Sequence, residues 1–362
     1  MRILITGGCG FVGAHLAVHL QSRGHRVVVM DNLVRRGSEM NLPRFKRHGI
    51  EFVHGDVRNT EDFANLPSSI ELIFDASAQP SVVTGYANPV FDITNNGLGV
   101  IHVLEYARQR RCPLIFFGTN RVYSADRINA LPRREAATRL EWDETVWRAL
   151  REEERPRGFD PEHGISEEFS VDGGQRSIYG FSKLIADAAC QEYAQAFDLP
   201  VIVNRFGVIT GSRQFGKADQ GWLAWWAIAL WFGLPLKYIG WRGKQVRDIL
   251  FVEDVCRLVD FELNEISRFR GEVFNVGGGM ANSLSLVEAT QFFEREFGRS
   301  MPISVEDVPR RADLSIYCTD NRKAERDFGW KPHEGLTEGL SRILEWIRNN
   351  EAELRARYSP AG

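Results

Sequence analysis

The chain has 362 residues, with 45 lysine or arginine against 48 aspartate or glutamate, for a formal charge of −3. That length accommodates two lobes, and the near balance of charge leaves no electrostatic footprint for wrapping nucleic acid or coating an anionic membrane. Five scattered cysteines (Cys9, Cys112, Cys190, Cys256, Cys318), never spaced as C-x-x-C, argue for reduced thiols in the cytoplasm and against a disulfide framework or metal site.

The N-terminus enters an apolar β-branched run, RILIT, at once and carries no signal-peptide pattern. Four more such runs, RVVVM, EFVH, LIFDA and LIFFG, alternate with helical patterns that begin near Phe11, Thr60 and Pro89. Alternating strand and helix predicts an α/β fold, a doubly wound Rossmann-type parallel sheet covered on both faces. Residues 124–175 are polar and interrupted by Pro132, Pro156 and Pro161; they read as an insertion or lid with a partial helix over TRLEWDETVWRALREEE. A helix from Ser177 to Phe197 and a strand, PVIVNRF, follow. Beyond Gly207 the alternation weakens into a smaller mixed lobe, although GEVFNVGGG reads as a strand returning to the main sheet. The apolar stretch GWLAWWAIALWFGLP is too short to span a bilayer, so its tryptophans pack a helix onto a neighbour or a subunit interface. The expected division is a dinucleotide-binding domain over 1–203 with a return segment near 247–278, and a second lobe from 204–246 and 279–362.

Directly after the first strand, ITGGCGFVGAHL carries Gly8-x-Gly10-x-x-Gly13 and opens a helix. Glycines there allow a tight turn and close approach of a pyrophosphate, which the helix N-terminus then receives. Gly7, Gly10, Phe11, Val12 and Gly13 are the candidate cradle. Asp31, 18 residues after Gly13 at the end of the second strand and followed by Asn32, can accept from ribose hydroxyls. A carboxylate there repels a 2′-phosphate and favours NAD over NADP, whereas Arg35 and Arg36 nearby pull the other way. GDV places Asp56 and Val57 near the adenine, with a helix N-cap as the alternative role for Asp56.

Tyr179 and Lys183 in SIYGFSKLIADA stand at i and i+4, so they share one helix face. A tyrosine with an ordinary pKa of about 10 is a poor base at neutral pH, and a neighbouring ammonium and a cationic nicotinamide both favour its phenolate. Tyr179 could then take a hydroxyl proton while hydride leaves for the cofactor, with Thr119 at a strand end orienting the same oxygen.

Together TGGCGFVG, Asp31, NNGLGV, TNRVY, Tyr179-x-x-x-Lys183, Arg247-Asp248 and RRAD at 310–313 resemble the extended short-chain dehydrogenase/reductase family of NAD-dependent epimerases and dehydratases, over nearly the whole chain. The resemblance implies a Rossmann domain binding NAD and a C-terminal lobe binding a nucleotide sugar. It implies that Ala76, Ala78 and Gln79, with Pro80, border the nicotinamide and the sugar, that Asn95 lies near the catalytic groups, and that Thr119, Asn120 and Gln220 face the sugar. Arg247 and Arg310, with help from Lys244, would meet the diphosphate, since guanidinium forks suit phosphate oxygens.

The dehydratase branch carries Asp-Glu after the threonine; here Asn120-Arg121 stands instead, and arginine cannot shuttle protons. Elimination is therefore disfavoured and epimerisation expected. GTNRVY, HGISEEF, GVITG and RGKQVRD resemble the branch that inverts C2 of CDP-linked deoxyhexoses, with departures at Gly118, Arg121 and Ser124. A UDP-sugar 4-epimerase is the nearest alternative, and a non-catalytic NAD-sensing protein on the same fold the more distant one. The expected partner is a nucleotide sugar, CDP-linked by preference. Assembly is expected as a homodimer or homotetramer through the helices after the fourth and fifth strands.

Overall fold

The computed structural model describes residues 1–358. Its strands, in chain order, are β1 (Arg2–Thr6), β2 (Arg26–Asp31), β3 (Glu51–His54), β4 (Leu72–Asp75), β5 (Leu114–Thr119), β6 (Val201–Phe206), β7 (Val208–Thr210), β8 (Val246–Phe251), β9 (Arg270–Val276), β10 (Ser283–Ser285) and β11 (Ile316–Tyr317), besides three short two-stranded ladders. Seven of them form one sheet in the order β9-β6-β5-β4-β1-β2-β3, every pair parallel. This is the doubly wound parallel sheet anticipated from the alternating runs; the first five expected strands lie within a residue of their places, and the strand over GEVFNVGGG ends at Val276.

Side chains alternate across a strand, and here both faces are buried. Ile3, Ile5, Val27, Val29 and Phe74 join one core, where the helices Phe11–Ser22 and Val252–Glu265 also pack. Leu4, Val28, Met30 and Ile73 face the other, beneath the helices Gly99–Arg110 and Ser177–Phe197. Near Thr60 the expected helix is a six-residue 3₁₀ turn, Thr60–Asn65, which buries Phe63 and ends before Pro67.

The strand after Gly207 leaves this sheet. β7 and β11 pair parallel, and β10 antiparallel, with β8 in a smaller four-stranded sheet. GEVFNVGGG returns to the main sheet as β9, parallel to β6. Helix Trp222–Phe232 settles the tryptophan-rich stretch as neighbour packing: Trp226 is buried, donates from its indole to Thr290 Oγ1 at 2.8 Å and stacks on Tyr238.

Residues 124–175 correct an expectation. They form two short helices, Ala125–Asn129 and Glu144–Ala149, a 3₁₀ turn at Glu152–Glu154 and two small hairpins. Their apolar residues, among them Leu140, Trp142 and Phe159, pack with Ile316, Tyr317 and Cys318. None of them borders the large cleft, so the segment is a buttress and not a lid.

Candidate active site

In an open α/β sheet the crevice lies beyond the C-terminal strand ends, where the strand order reverses. Here β1 and β4 adjoin at that reversal, and a cleft of about 1020 Å³ opens over the segments that follow them. Gly7, Gly10, Phe11, Val12 and Gly13 line it, as do Asp31, Asn32, Arg35, Val57, Ala76, Ala78 and Asn95. Gly7 has φ +64°, and a Cβ there would lie 2.6 Å from the Ser77 Cα; a Cβ on Gly13 would lie 2.6 Å from the Gly8 Cα. The loop therefore closes to a shape that only glycine permits, and it presents the helix beginning at Phe11 to the cleft. This cradle fits a dinucleotide pyrophosphate.

Asp31 stands at the cleft edge, accepting from Cys9 N at 3.0 Å and Leu33 N at 2.8 Å. Burial raises its pKa, against those two backbone hydrogen bonds. Asp56 is turned away from the cleft. Its carboxylate meets the Arg58 guanidinium at 2.6 Å and accepts from Asn32 Nδ2 at 2.8 Å. Arg58 holds its pKa down at about 2.

The candidate reacting corner is built from β5 and the helix Ser177–Phe197. Thr119 ends β5, and Asn120 and Arg121 follow in a 3₁₀ turn whose Arg121 N–H donates to Thr119 Oγ1 at 3.3 Å. Thr119, Asn120, Arg121 and Tyr179 all line the cleft. Tyr179 shares this corner with Thr119, whose hydroxyl pulls the phenol pKa down against the effect of burial. Lys183, one turn on, is fully buried and donates to the Phe117 carbonyl at 2.9 Å.

Burial raises the Tyr179 pKa, and the Thr119 hydroxyl and Arg121 pull against it. Lys183 is itself depressed by burial.

The loop after β4 is knit to the same helix. Asn96 Nδ2 donates to Ser182 Oγ and to the Gln79 carbonyl, each at 3.0 Å, and Ser182 Oγ donates to Asp92 at 2.8 Å. The Gln79 side chain joins this network by donating to Asp92 and to Ser81 O, so it is absent from the cleft wall that Ala78 and Pro80 form.

At the far end Gln220, Arg247 and Arg310 line the cleft, whereas Lys244 lies outside it, 2.7 Å from Glu135. Arg247 is buried, 2.8 Å from Asp313 and bonded to the carbonyls of Val246 and Leu314. Arg310 donates to Ala218 O at 3.1 Å. Sequence reasoning missed Asn41, Tyr86, Arg213, Asp219, Trp222, Trp225, Asp313 and Arg357, which also line the cleft. RRAD carried a signal for Asp313; the rest sit in loops or on helix faces with no local pattern.

Fold and cleft define a dinucleotide-dependent enzyme with a buried Thr–Tyr–Lys corner. Residues 3–146 and 157–277 match the NAD dependent epimerase/dehydratase family, to which the chain belongs, and NAD is its cofactor. It is 34% identical to the CDP-paratose 2-epimerase of Salmonella typhi, over 96% of this chain and 99% of that one. Among solved structures it resembles the UDP-glucose 4-epimerase of Thermotoga maritima with UDP-glucose (25% identity, 97% and 100% coverage, TM-score 0.75). It likewise resembles that of Thermus thermophilus in complex with NAD (26%, 96% and 99%, TM-score 0.72).

Proposed function

We propose that the chain is a nucleotide-sugar epimerase inverting C2 of a CDP-linked deoxyhexose. The observation that carries this reading is the cleft corner lined by both Tyr179 and Thr119, with Asn120 and Arg121 in the turn beside them. Elimination of water needs a proton donor next to the sugar, and an arginine, charged at any working pH, cannot supply one. The 34% identity to a CDP-paratose 2-epimerase supports C2 and CDP over the other positions and bases.

Bound NAD supplies the acceptor and donor of hydride. Tyr179 removes the proton of the C2 hydroxyl as the C2 hydrogen departs as hydride, and Thr119 orients that oxygen. The 2-keto sugar turns within the cleft, hydride returns to its opposite face, and Tyr179 returns the proton. No net oxidation results. Arg247 and Arg310 meet the diphosphate, and Trp222 and Trp225 supply apolar wall for the turning sugar.

In this reading residues 1–203 with about 247–278 hold the cofactor, and 204–246 with 279–362 hold the sugar nucleotide. The five cysteines are all buried and unpaired, which suits a reducing cytoplasm. No helix among the described residues is long and apolar enough to cross a membrane. Phe181 and Phe197 are 44% and 49% exposed on the helix Ser177–Phe197, and Leu98 is 44% exposed at the start of Gly99–Arg110. These side chains support a homodimer or homotetramer built on that pair of helices.

A second reading, UDP-sugar 4-epimerase, is favoured by the likeness to the two solved UDP-glucose 4-epimerases and shares all the catalytic groups. Incubation with CDP-, UDP- and GDP-sugars, followed by NMR of the product, separates the two. Inversion at C2 of a CDP-sugar supports the first reading, and inversion at C4 of a UDP-sugar replaces it.

A further inference from the structure

The loop after β2 and the loop after β7 both border the cleft, and a third segment joins them. Asn32, Arg35 and Gly37 line the cleft from the first loop, just beyond Asp31. Phe215, Gly216 and Asp219 line it from the second. Arg357, at the end of the helix Glu351–Tyr358, lines it as well and touches both loops.

Arg357 holds the first loop with two guanidinium nitrogens. Nη2 donates to Arg36 O at 3.0 Å, and Nη1 donates to Met40 Sδ at 3.2 Å. The group covers Gly37 so closely that a Cβ there would overlap it. Its central carbon lies 4.4 Å from the centre of the Phe215 ring, which belongs to the second loop. The next residue, Tyr358, donates from its hydroxyl to Gly216 O at 2.8 Å, and its ring lies 5.9 Å from that of Trp225.

Both ends of this strap are anchored. Leu354, one turn before Tyr358, is fully buried, and Phe215 meets the Trp346 ring edge-on at 5.7 Å. A second tie fixes the loop after β7 from the other side, where the Ser81 hydroxyl donates to Asp219 Oδ2 at 2.6 Å. That loop is thus fastened to the segments after β2 and after β4, across the mouth of the cleft.

We propose that Arg357 and Tyr358 form a latch that holds the two loops closed over the adenosine half of bound NAD, and so sets how slowly the cofactor leaves. An enzyme that returns the hydride it has just taken needs its cofactor to stay through the cycle. The inference rests on the reading in which Asp31 receives the adenosine ribose, and not on the identity of the sugar.

The test needs no sugar. Protein loaded with NAD radiolabelled in the adenine ring is chased with excess unlabelled NAD, and the label retained is followed by rapid gel filtration. Arg357→Ala should release the label about 10-fold faster or more, the effect of losing a charge-assisted hydrogen bond and a guanidinium–ring contact. Phe215→Leu leaves Arg357 in place but removes the ring against which it rests; it should speed release by a smaller factor and serves if Arg357→Ala fails to fold. Unchanged release in these variants overturns the proposal. So does slower capture of NAD with release unchanged, which would show that Arg357 only attracts the phosphates from a distance. Asp31→Ala checks the underlying placement separately: NAD affinity should fall by about 10-fold, and an unchanged affinity would remove the adenosine from beneath the latch. Failure to convert any CDP-sugar would leave these rates untouched, so the two readings fail separately.

Discussion

Lys183 Nζ donates to the carbonyl of Phe117, two residues before Thr119 on the same strand. This bond ties the helix Ser177–Phe197 to β5, whose end carries Thr119, with Tyr179 one turn earlier on the helix. Among the described residues no carboxylate pairs with the ammonium, so it is a buried charge whose desolvation is poorly repaid. Lys183→Met should therefore leave the thermal midpoint unchanged or raise it, while kcat falls by about 100-fold or more. A drop of several degrees in the melting temperature would show that the lysine is kept for stability.

Tyr179→Phe keeps the ring and its burial but removes the hydroxyl proposed to act as acid and base. Its kcat should fall by about 10²- to 10⁴-fold, with KM changed only a few-fold, in steady-state assays of the epimerisation. Unchanged turnover would favour the non-catalytic NAD-sensing reading.

A buried ion pair braces the same helix from below. Arg205 on β6 meets Asp187 at 2.8 Å, both almost wholly buried, and also donates to the Tyr123 hydroxyl at 3.1 Å. Breaking such a pair strands the remaining charge. Asp187→Asn should cost about 3–5 kcal/mol in denaturant unfolding, and Asp187→Leu combined with Arg205→Met should cost less than the sum of the two single changes.

Glu262 gives a pH signature. It is fully buried, accepts from Asn204 Nδ2 at 2.6 Å, and burial raises its pKa to about 8. Glu262 Oε2 and Asn204 Oδ1 both lack partners, and a proton on the carboxyl would serve them together. Between the ordinary carboxyl pKa and about 8 the folded protein holds a proton that the unfolded chain has released. Stability from this group is therefore full below about pH 4.5 and is lost as pH rises through 8, by a few kcal/mol in all. Glu262→Gln, whose amide supplies both hydrogen bonds, should flatten that slope and be more stable than the parent at pH 9. A parallel slope in both proteins would contradict the assignment.

The strands were legible because both faces of a parallel sheet are apolar, so runs such as LIFFG advertise themselves. The glycine cradle was legible because its φ and its contacts admit no side chain. Three other features were not. The buttress at 124–175 looked like a lid because polar composition says nothing about which surface a segment covers. Gln79 looked like a cleft residue, but Asp92, thirteen positions on, draws its amide away. Lys183 was legible as sharing a helix face with Tyr179, but its bond to the Phe117 carbonyl was not, because depth of burial decides where the ammonium points. Arg121 was noticed for the acids it replaces, and its tether to Asp313 joins positions 192 residues apart.

The central claim is tested most directly with a CDP-linked deoxyhexose deuterated at C2, incubated with the NAD-loaded protein in ordinary water and followed by NMR. The account predicts inversion at C2 with the deuterium retained there and no accumulation of reduced cofactor. Exchange of the C2 deuterium with solvent, inversion at C4, or release of water to a 4-keto-6-deoxy product would contradict it.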